Sequence, residues 1–101
     1  FLQFVDLRLD TRTRQVYRGE RLIELAAKEC AVLECLLREP ERVLNRAQIA
    51  EHVWSYDKDN QSNVVDVYIR NLRRKIDDPF PQKLIRTVRG VGYCLSLNET
   101  D

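Results

Sequence analysis

Apolar residues recur at helical spacing in three segments of the chain, and the last of these is the most regular. No glycine or proline interrupts residues 63–77. Four apolar residues there are separated by four, three and four positions: Val65, Ile69, Leu72 and Ile76. At about 100° per residue this spacing puts all four on one side of a helix. It therefore predicts a helix over 63–76 with a buried apolar stripe.

The opposite side of this predicted helix is polar and basic. It carries five residues, flanked by Asp66 and Arg73: Asn63, Val67, Arg70, Asn71 and Arg74. Forked Arg and Asn side chains can read guanine and adenine edges in the major groove, and an exposed Val can meet a thymine methyl group. A solvated charged face explains the helix alone equally well, because Arg-rich surface helices are common.

A predicted β-hairpin after the helix favours the nucleic-acid interpretation. The prolines within 79–81 end the helix, because proline lacks a backbone donor and its ring clashes with the preceding turn. Residues 84–89 and 93–97 are typical of two strands, and the glycines within 90–92 allow a sharp reversal between them. Arg89 then lies at the tip, where a guanidinium group can reach phosphates or a narrow minor groove. A plain closing hairpin with a solvated Arg is the alternative.

The N-terminal half is typical of a scaffold. Alternating and β-branched residues predict a three-stranded meander with strands over 4–9, 15–17 and 21–25. A helix over 26–38 is expected to bury four residues: Cys30, Leu33, Leu36 and Leu37. A second helix over 46–54 has Asn45 as its N-cap and turns Ile49 and Val53 inward.

Charge is distributed unevenly along a chain whose net charge is only +1. Residues 63–93 contain seven basic and three acidic residues, a net charge of +4, whereas the remainder carries −3. Positive charge is thus concentrated on the segment that is expected to face nucleic acid. The length of 101 residues and the 44% share of hydrophobic residues fit one globular domain. The sequence contains neither a membrane-span pattern nor a signal-peptide pattern.

Candidate chemistry is sparse. Cys30 and Cys35 are five residues apart, about 140° around one helix, which disfavours a local disulfide. Buried thiols in a reducing cytoplasm are expected, and a redox switch at Cys35 or Cys94 is the alternative. His52 has no Cys or His neighbour in sequence and is expected at the surface or in a cap. We expect no metal site, no cofactor and no catalytic residues, because no phosphate loop or nucleophile motif is present.

The sequence RTVRGVGY, preceded by SNVVDVYIRNLRRKIDD, resembles the C-terminal effector domain of OmpR/PhoB-type response regulators, a winged-helix transcription-factor family. LAAKECAVLECLLREPERVLNRAQIAEHVW resembles the first two helices of that family, and SYDKDNQS falls at its interhelical loop. The resemblance covers essentially all of 1–101. It implies an α+β winged helix-turn-helix with an N-terminal antiparallel sheet, three helices and a C-terminal hairpin, the wing. It also adds a fourth short strand near 42–44.

The resemblance has a local departure at the first helix. Family members usually begin this helix with Thr-Pro, which pairs a cap with a proline at the first helical position. This chain has Ala26 and Ala27 instead, so a weaker cap is expected. Cys30 also stands where the family commonly has a larger apolar residue.

The resemblance implies sequence-specific binding of double-stranded DNA, with helix 63–76 in the major groove. Four residues are implied as base contacts: Val67, Asn71, Arg74 and Asp66. Eight are implied as backbone or minor-groove contacts: Arg46, Trp54, Tyr68, Arg70, Arg73, Thr87, Arg89 and Tyr93. For the three aromatic residues, core packing with a hydrogen-bonded polar end is the alternative. Many relatives have Arg at the position of Asn71, and Asn favours adenine, so no relative's target sequence transfers.

The resemblance also implies partners. Loop 55–62 is a candidate RNA polymerase contact through Asp57, Lys58 and Asp59, with a solvated connector as the alternative. A receiver domain is expected before Phe1, phosphorylated by a sensor histidine kinase in a cytoplasmic phosphorelay. The small net charge favours two domains bound as a dimer to direct repeats about one helical turn apart. A winged-helix module that binds a protein through the same surface is the rival hypothesis.

Overall fold

A computed structural model describes residues 1–54 and 64–97, which form two antiparallel sheets and three helices. The elements follow in the order β1 Leu2–Phe4, β2 Leu7–Leu9, β3 Val16–Arg18, β4 Arg21–Ile23, α1 Ala27–Arg38, α2 Arg46–Val53, α3 Val65–Ile76, β5 Ile85–Val88 and β6 Gly92–Leu95. The first sheet precedes the helices and the second follows them as a hairpin. The predicted α+β winged-helix architecture is confirmed.

The N-terminal sheet has four strands in the order β1-β2-β3-β4, so the prediction of three strands was wrong. The predicted strand over 4–9 is divided by a turn at Val5 and Asp6, and Val5 has a φ of 56°. Two bonds fix this reversal: Gly19 N–H donates to the Asp6 carbonyl at 2.8 Å, and Arg18 Nε donates to the Asp6 carboxylate at 3.0 Å. Left-handed backbone at a β-branched residue is unfavourable, which is why the sequence pattern did not reveal it.

The strand expected near 42–44 does not form within the described part of the chain. Leu44 instead makes an isolated antiparallel bridge to Tyr93 of β6, with both N–H···O distances at 2.9 Å. The backbones approach so closely that a Cβ at Gly92 would lie 2.0 Å from the Leu44 carbonyl oxygen. Glycine at 92 therefore permits the wing to bond to the segment that leads into α2.

The predicted helix interiors are confirmed. All four residues expected inward on α1, and the four of the α3 stripe, are buried in one hydrophobic core. Ile49 of α2 is also buried, and Val53 is half-buried against the core. Of the helices in the described ranges, none has the length and apolar character that crossing a membrane requires.

The helix starts differ in how they are capped. Asn45 caps α2: its side-chain oxygen accepts from Gln48 N–H at 2.7 Å, and the Gln48 side chain accepts from Asn45 N–H at 2.9 Å. This confirms the predicted cap and completes a reciprocal capping box. Ala26 has no side-chain oxygen to offer α1, and only the return bond forms, from Ala26 N–H to the Glu29 carboxylate at 3.0 Å.

A buried ion pair joins the N-terminal sheet to the far end of α3. The Arg18 side chain lies 3.5 Å from the Asp77 carboxylate and donates to the carbonyls of Ile76 and Gln82. Asp77 is only 2% exposed, and burial raises the pKa of its carboxyl. No sequence pattern reveals this pair, because its partners are far apart in the chain.

Asp77 also fixes the start of the hairpin. Its two carboxylate oxygens accept from the N–H groups of Leu84, at 3.0 Å, and Ile85, at 2.9 Å. The C-terminal end of α3, the N-terminal sheet and the wing are therefore held together by one buried carboxylate.

Candidate nucleic-acid interface

The outward side of α3 presents the side chains that the sequence placed there. Val67 is 44% exposed, Arg70 and Arg74 are exposed, and Asn71 is half-buried. Their spacing of three, one and three residues keeps them on one side of the helix, opposite the buried stripe. The N-terminal end of the predicted helix, Asn63, lies outside the described residues.

The N-terminal ends of α2 and α3 meet through an ion pair. Arg46 Nε donates to Asp66 Oδ1 at 2.8 Å, and both side chains are about half exposed, at 49% and 46%. The Arg46 guanidinium lowers the pKa of the Asp66 carboxyl, and the carboxylate in turn raises the pKa of Arg46. Both groups are therefore charged at neutral pH.

Tyr93 connects the base of the wing to the same carboxylate. Its hydroxyl donates to Asp66 Oδ1, and its ring is buried. Burial first, and the Asp66 carboxylate second, raise the pKa of the Tyr93 hydroxyl, so it remains a proton donor at neutral pH. The guanidinium carbons of Arg46 and Arg73 lie 5.9 and 5.8 Å from the centre of the Tyr93 ring, within cation–π range.

Arg73 is held against the wing. Its guanidinium donates to Thr87 Oγ1 at 2.5 Å and to the Ile85 carbonyl at 3.2 Å. Thr87 therefore accepts a hydrogen bond from an arginine of α3, and its contact with DNA stays a prediction. The next residue, Arg74, is exposed, whereas Lys75 is drawn away to the Glu29 carboxylate at 2.6 Å.

The wing tip is a tight reversal between β5 and β6. Val91 N–H donates to the Val88 carbonyl at 3.0 Å, and Gly90 occupies the left-handed region with a φ of 75°. Arg89 is exposed at this tip, as predicted, and Val91 beside it is 52% exposed.

Trp54 and Tyr68 form an aromatic pair between the end of α2 and α3. Their ring centres lie 5.4 Å apart at an interplanar angle of 53°, and both rings pack against the core. The Lys28 ammonium lies 5.6 Å from the Trp54 ring centre. The packing alternative thus describes where the rings lie, and phosphate contacts from Trp54 and Tyr68 stay predictions.

The remaining candidate residues lie apart from this surface or outside the described ranges. Asp57, Lys58 and Asp59 fall between residues 54 and 64, outside the described residues. His52 is exposed on α2, as expected. Cys30, Cys35 and Cys94 are buried, and burial raises the pKa of Cys35 to about 11. Such a thiol is a poor nucleophile at neutral pH.

Comparison with known proteins places the chain in one family. Residues 19–95 match the family described as "Transcriptional regulatory protein, C terminal". The chain is 46% identical over 95 residues to the uncharacterized transcriptional regulatory protein YkoG of Bacillus subtilis (strain 168), a match over 94% of this chain and 42% of YkoG. It is 50% identical over 94 residues to the response regulator MprA of Mycobacterium sp. (strain KMS), covering 93% of this chain and 41% of MprA.

A solved structure gives the same answer for the fold. The DNA-binding domain of the response regulator AdeR, in complex with an intercistronic region, superimposes with a TM-score of 0.81 at 27% identity. The match covers 95% of this chain and 98% of that domain, whereas the chain spans less than half the length of YkoG and MprA. The chain belongs to the family of C-terminal, winged-helix DNA-binding domains of OmpR/PhoB-type transcriptional response regulators, which are not enzymes.

Proposed function

We propose that this domain binds double-stranded DNA in a sequence-specific manner, with α3 in the major groove and the wing in the adjacent minor groove. The observation that carries the proposal is the division of α3 into a buried apolar stripe and an outward side with Val67, Arg70, Asn71 and Arg74. A helix fits the width of the major groove, and these side chain types match its donors, acceptors and methyl groups.

Base reading is assigned to the outward residues of α3. Asn71 has the paired donor and acceptor that fit adenine, Val67 offers an apolar contact to a thymine methyl, and Arg74 can donate twice to guanine. Asp66, at the first turn, can accept from a cytosine amino group through Oδ2, since Arg46 and Tyr93 both donate to Oδ1.

Backbone contacts are assigned to the cations around that helix. Arg46, Arg70 and Arg73 lie on the two helices of the helix-turn-helix, where phosphate contacts fix the register of the protein on DNA. Exposure at the wing tip supports Arg89 as a minor-groove ligand. Four residues are assigned secondary roles beside these cations, as further phosphate donors or as supports: Trp54, Tyr68, Thr87 and Tyr93.

The chain is further proposed to be the output domain of a longer cytoplasmic response regulator. A receiver domain and a sensor histidine kinase would then control it, in line with the description of MprA as a response regulator. The small net charge supports dimeric binding to direct repeats, because one domain gains little non-specific attraction. Asp57, Lys58 and Asp59 remain proposed polymerase contacts.

Selection of bound sequences from a random duplex library tests the proposed function. We expect enrichment of a defined sequence by the unaltered chain, and a relaxed preference at one adenine-containing pair for Asn71→Ala. Gln82→Ala, a change of an exposed amide on the connection from α3 to β5, serves as the matched control and should select the unaltered sequence. Selection of no sequence at all would favour the rival protein-interaction module.

A further inference from the structure

Three elements that are proposed to face DNA converge on one atom, Asp66 Oδ1. Asp66 belongs to the first turn of α3, Arg46 is the first residue of α2, and Tyr93 lies in β6 at the base of the wing. Both Arg46 Nε and the Tyr93 hydroxyl donate to this oxygen. The carboxylate therefore sits where the helix-turn-helix and the wing join.

The two donors to Asp66 differ in mobility: the Arg46 side chain is about half exposed, whereas Tyr93 is buried. An exposed ion pair alone contributes little, because solvent screens it and both side chains remain free to rotate. Tyr93 limits the rotation of the Asp66 side chain, because Tyr93 is itself held in place. Its ring is buried, and both its N–H and its carbonyl form hydrogen bonds with the backbone of Leu44. Its hydroxyl thus presents a fixed donor, and the Asp66 carboxylate becomes a fixed acceptor for the mobile Arg46 side chain.

We propose that Asp66 is a positioning residue that orients the Arg46 guanidinium towards the DNA backbone and ties the wing to α3. This inference rests on the proposed function, since it assigns the arrangement of a DNA ligand. Pre-orienting a long side chain reduces the conformational entropy that binding must remove. Arg46 donates to Asp66 through Nε, which leaves its two terminal nitrogens available for a phosphate oxygen.

Positioning by Asp66 and simple charge repulsion predict opposite changes in DNA affinity when Asp66 is removed, so the direction of the change decides between them. A carboxylate near DNA repels phosphates, so its removal alone should tighten binding and leave Arg46 free to contact the backbone. If Asp66 positions Arg46, its removal should weaken binding although the protein becomes more positive.

The experiment measures affinity for a duplex of arbitrary sequence over a range of salt concentrations, so that base reading does not contribute. Asp66→Ala, Arg46→Ala and the double variant are compared with the unaltered chain. We expect Asp66→Ala to weaken binding about two- to tenfold and the two changes to be non-additive. The log–log salt slope should fall by about 0.9 in each single variant and no further in the double variant.

Two further variants separate positioning from charge and from folding. Glu20→Ala removes an equal charge from an exposed residue of the β3–β4 turn and should leave the salt slope unchanged. Tyr93→Phe removes the hydroxyl but keeps a ring near the Arg46 and Arg73 guanidinium groups. It should therefore weaken binding alone and have less effect when Asp66 is already Ala. Urea unfolding of each variant identifies any loss of folded protein.

Tighter binding by folded Asp66→Ala, or additive effects of the two single changes, would overturn the proposal. An unaltered chain that binds no duplex at any salt concentration would instead contradict the proposed function itself. The two failures are therefore distinguishable in one set of titrations.

Discussion

The two ends of α3 carry the same chemical pair, an aspartate with an arginine, in opposite environments. At the first turn, Asp66 and Arg46 are each about half exposed, and the arginine lowers the pKa of the carboxyl. Just after the last turn, Asp77 and Arg18 are buried, and burial raises the pKa of the carboxyl. The direction of the pKa shift thus follows the solvent around the pair rather than the identity of the partners.

This difference in exposure suits the two ends of α3 to different tasks, one to contact with a ligand and the other to stabilising the fold. An exposed arginine can exchange part of its contact with a carboxylate for a contact with a phosphate at small cost. A buried pair cannot exchange partners, because a charge left alone in the interior is strongly unfavourable. The first end of α3 is therefore suited to a ligand, whereas its far end is suited to fixing the hairpin and the sheet.

The largest expected effect comes from breaking the buried end. Asp77→Ala should lower the free energy of unfolding by about 3–5 kcal/mol, because it removes the buried carboxylate beside Arg18 and leaves two buried backbone N–H groups without their acceptor. Urea unfolding measures this value. Asp78→Ala, at the exposed neighbouring residue, is the matched control and should change stability by less than about 0.5 kcal/mol. Equal losses of stability in the two variants would show that the buried carboxylate does not hold the fold together, so this end of α3 would not differ from the exposed end.

The middle of the helix should show the reverse behaviour. Asn71→Ala should cost about 1–3 kcal/mol of binding free energy on the selected duplex, since one bidentate base contact is lost. Its free energy of unfolding should change little, because Asn71 is only half-buried on the outward side. Gel shifts on the selected and a scrambled duplex check the first statement, and urea unfolding checks the second. A uniform loss on both duplexes would show that Asn71 does not read a base.

A phosphate ligand should act independently of sequence. Arg70→Ala should weaken binding to every duplex and lower the log–log salt slope by about 0.9, because one fewer counterion is released. Arg12→Ala removes the same charge from an exposed turn of the N-terminal sheet and should leave the slope unchanged. Equal slopes for both variants would place Arg70 away from the DNA backbone.

The smallest expected effect is a difference in pH dependence between the two carboxylates. The pKa of Asp66 lies below its ordinary value of 3.8, so its contribution to stability is present above pH 3.8 and declines as the pH falls further. The pKa of Asp77 lies above 3.8, so stability decreases as the pH rises from 3.8 through that raised pKa.

We therefore expect the free energy of unfolding of Asp66→Asn and of Asp77→Asn, measured between pH 2 and pH 7, to depart from that of the unaltered chain with opposite signs of slope against pH. The departure should lie below pH 3.8 for Asp66→Asn and above it for Asp77→Asn. Slopes of the same sign would show that both carboxyl groups feel the same environment.

What could be predicted from the sequence was periodic or local. The α3 stripe follows from spacing, and the Asn45 cap follows from residues three positions apart. The position of Arg89 at the wing tip follows from the neighbouring Gly90, which adopts a left-handed conformation that few other residues favour. Each of these signals lies within one element or one turn.

What could not be predicted depends on contacts between distant segments. The turn at Val5 is stabilised by bonds from Arg18 and Gly19, and the expected strand at 42–44 is replaced by one bridge to Tyr93. The bond from Tyr93 to Asp66 spans 27 residues. No periodicity encodes such pairs, so the convergence on Asp66 was visible only in three dimensions.

The close approach at Gly92 has a consequence for redesigning specificity. The wing is joined to the segment before α2 through main-chain atoms of Leu44 and Tyr93, which no side-chain replacement on α3 deletes. A library randomised at positions 67, 71 and 74 should therefore keep the distance between the two elements that are proposed to contact the grooves. New target sequences can be sought at those three positions while the spacing of the footprint stays constant, provided that residue 92 remains glycine.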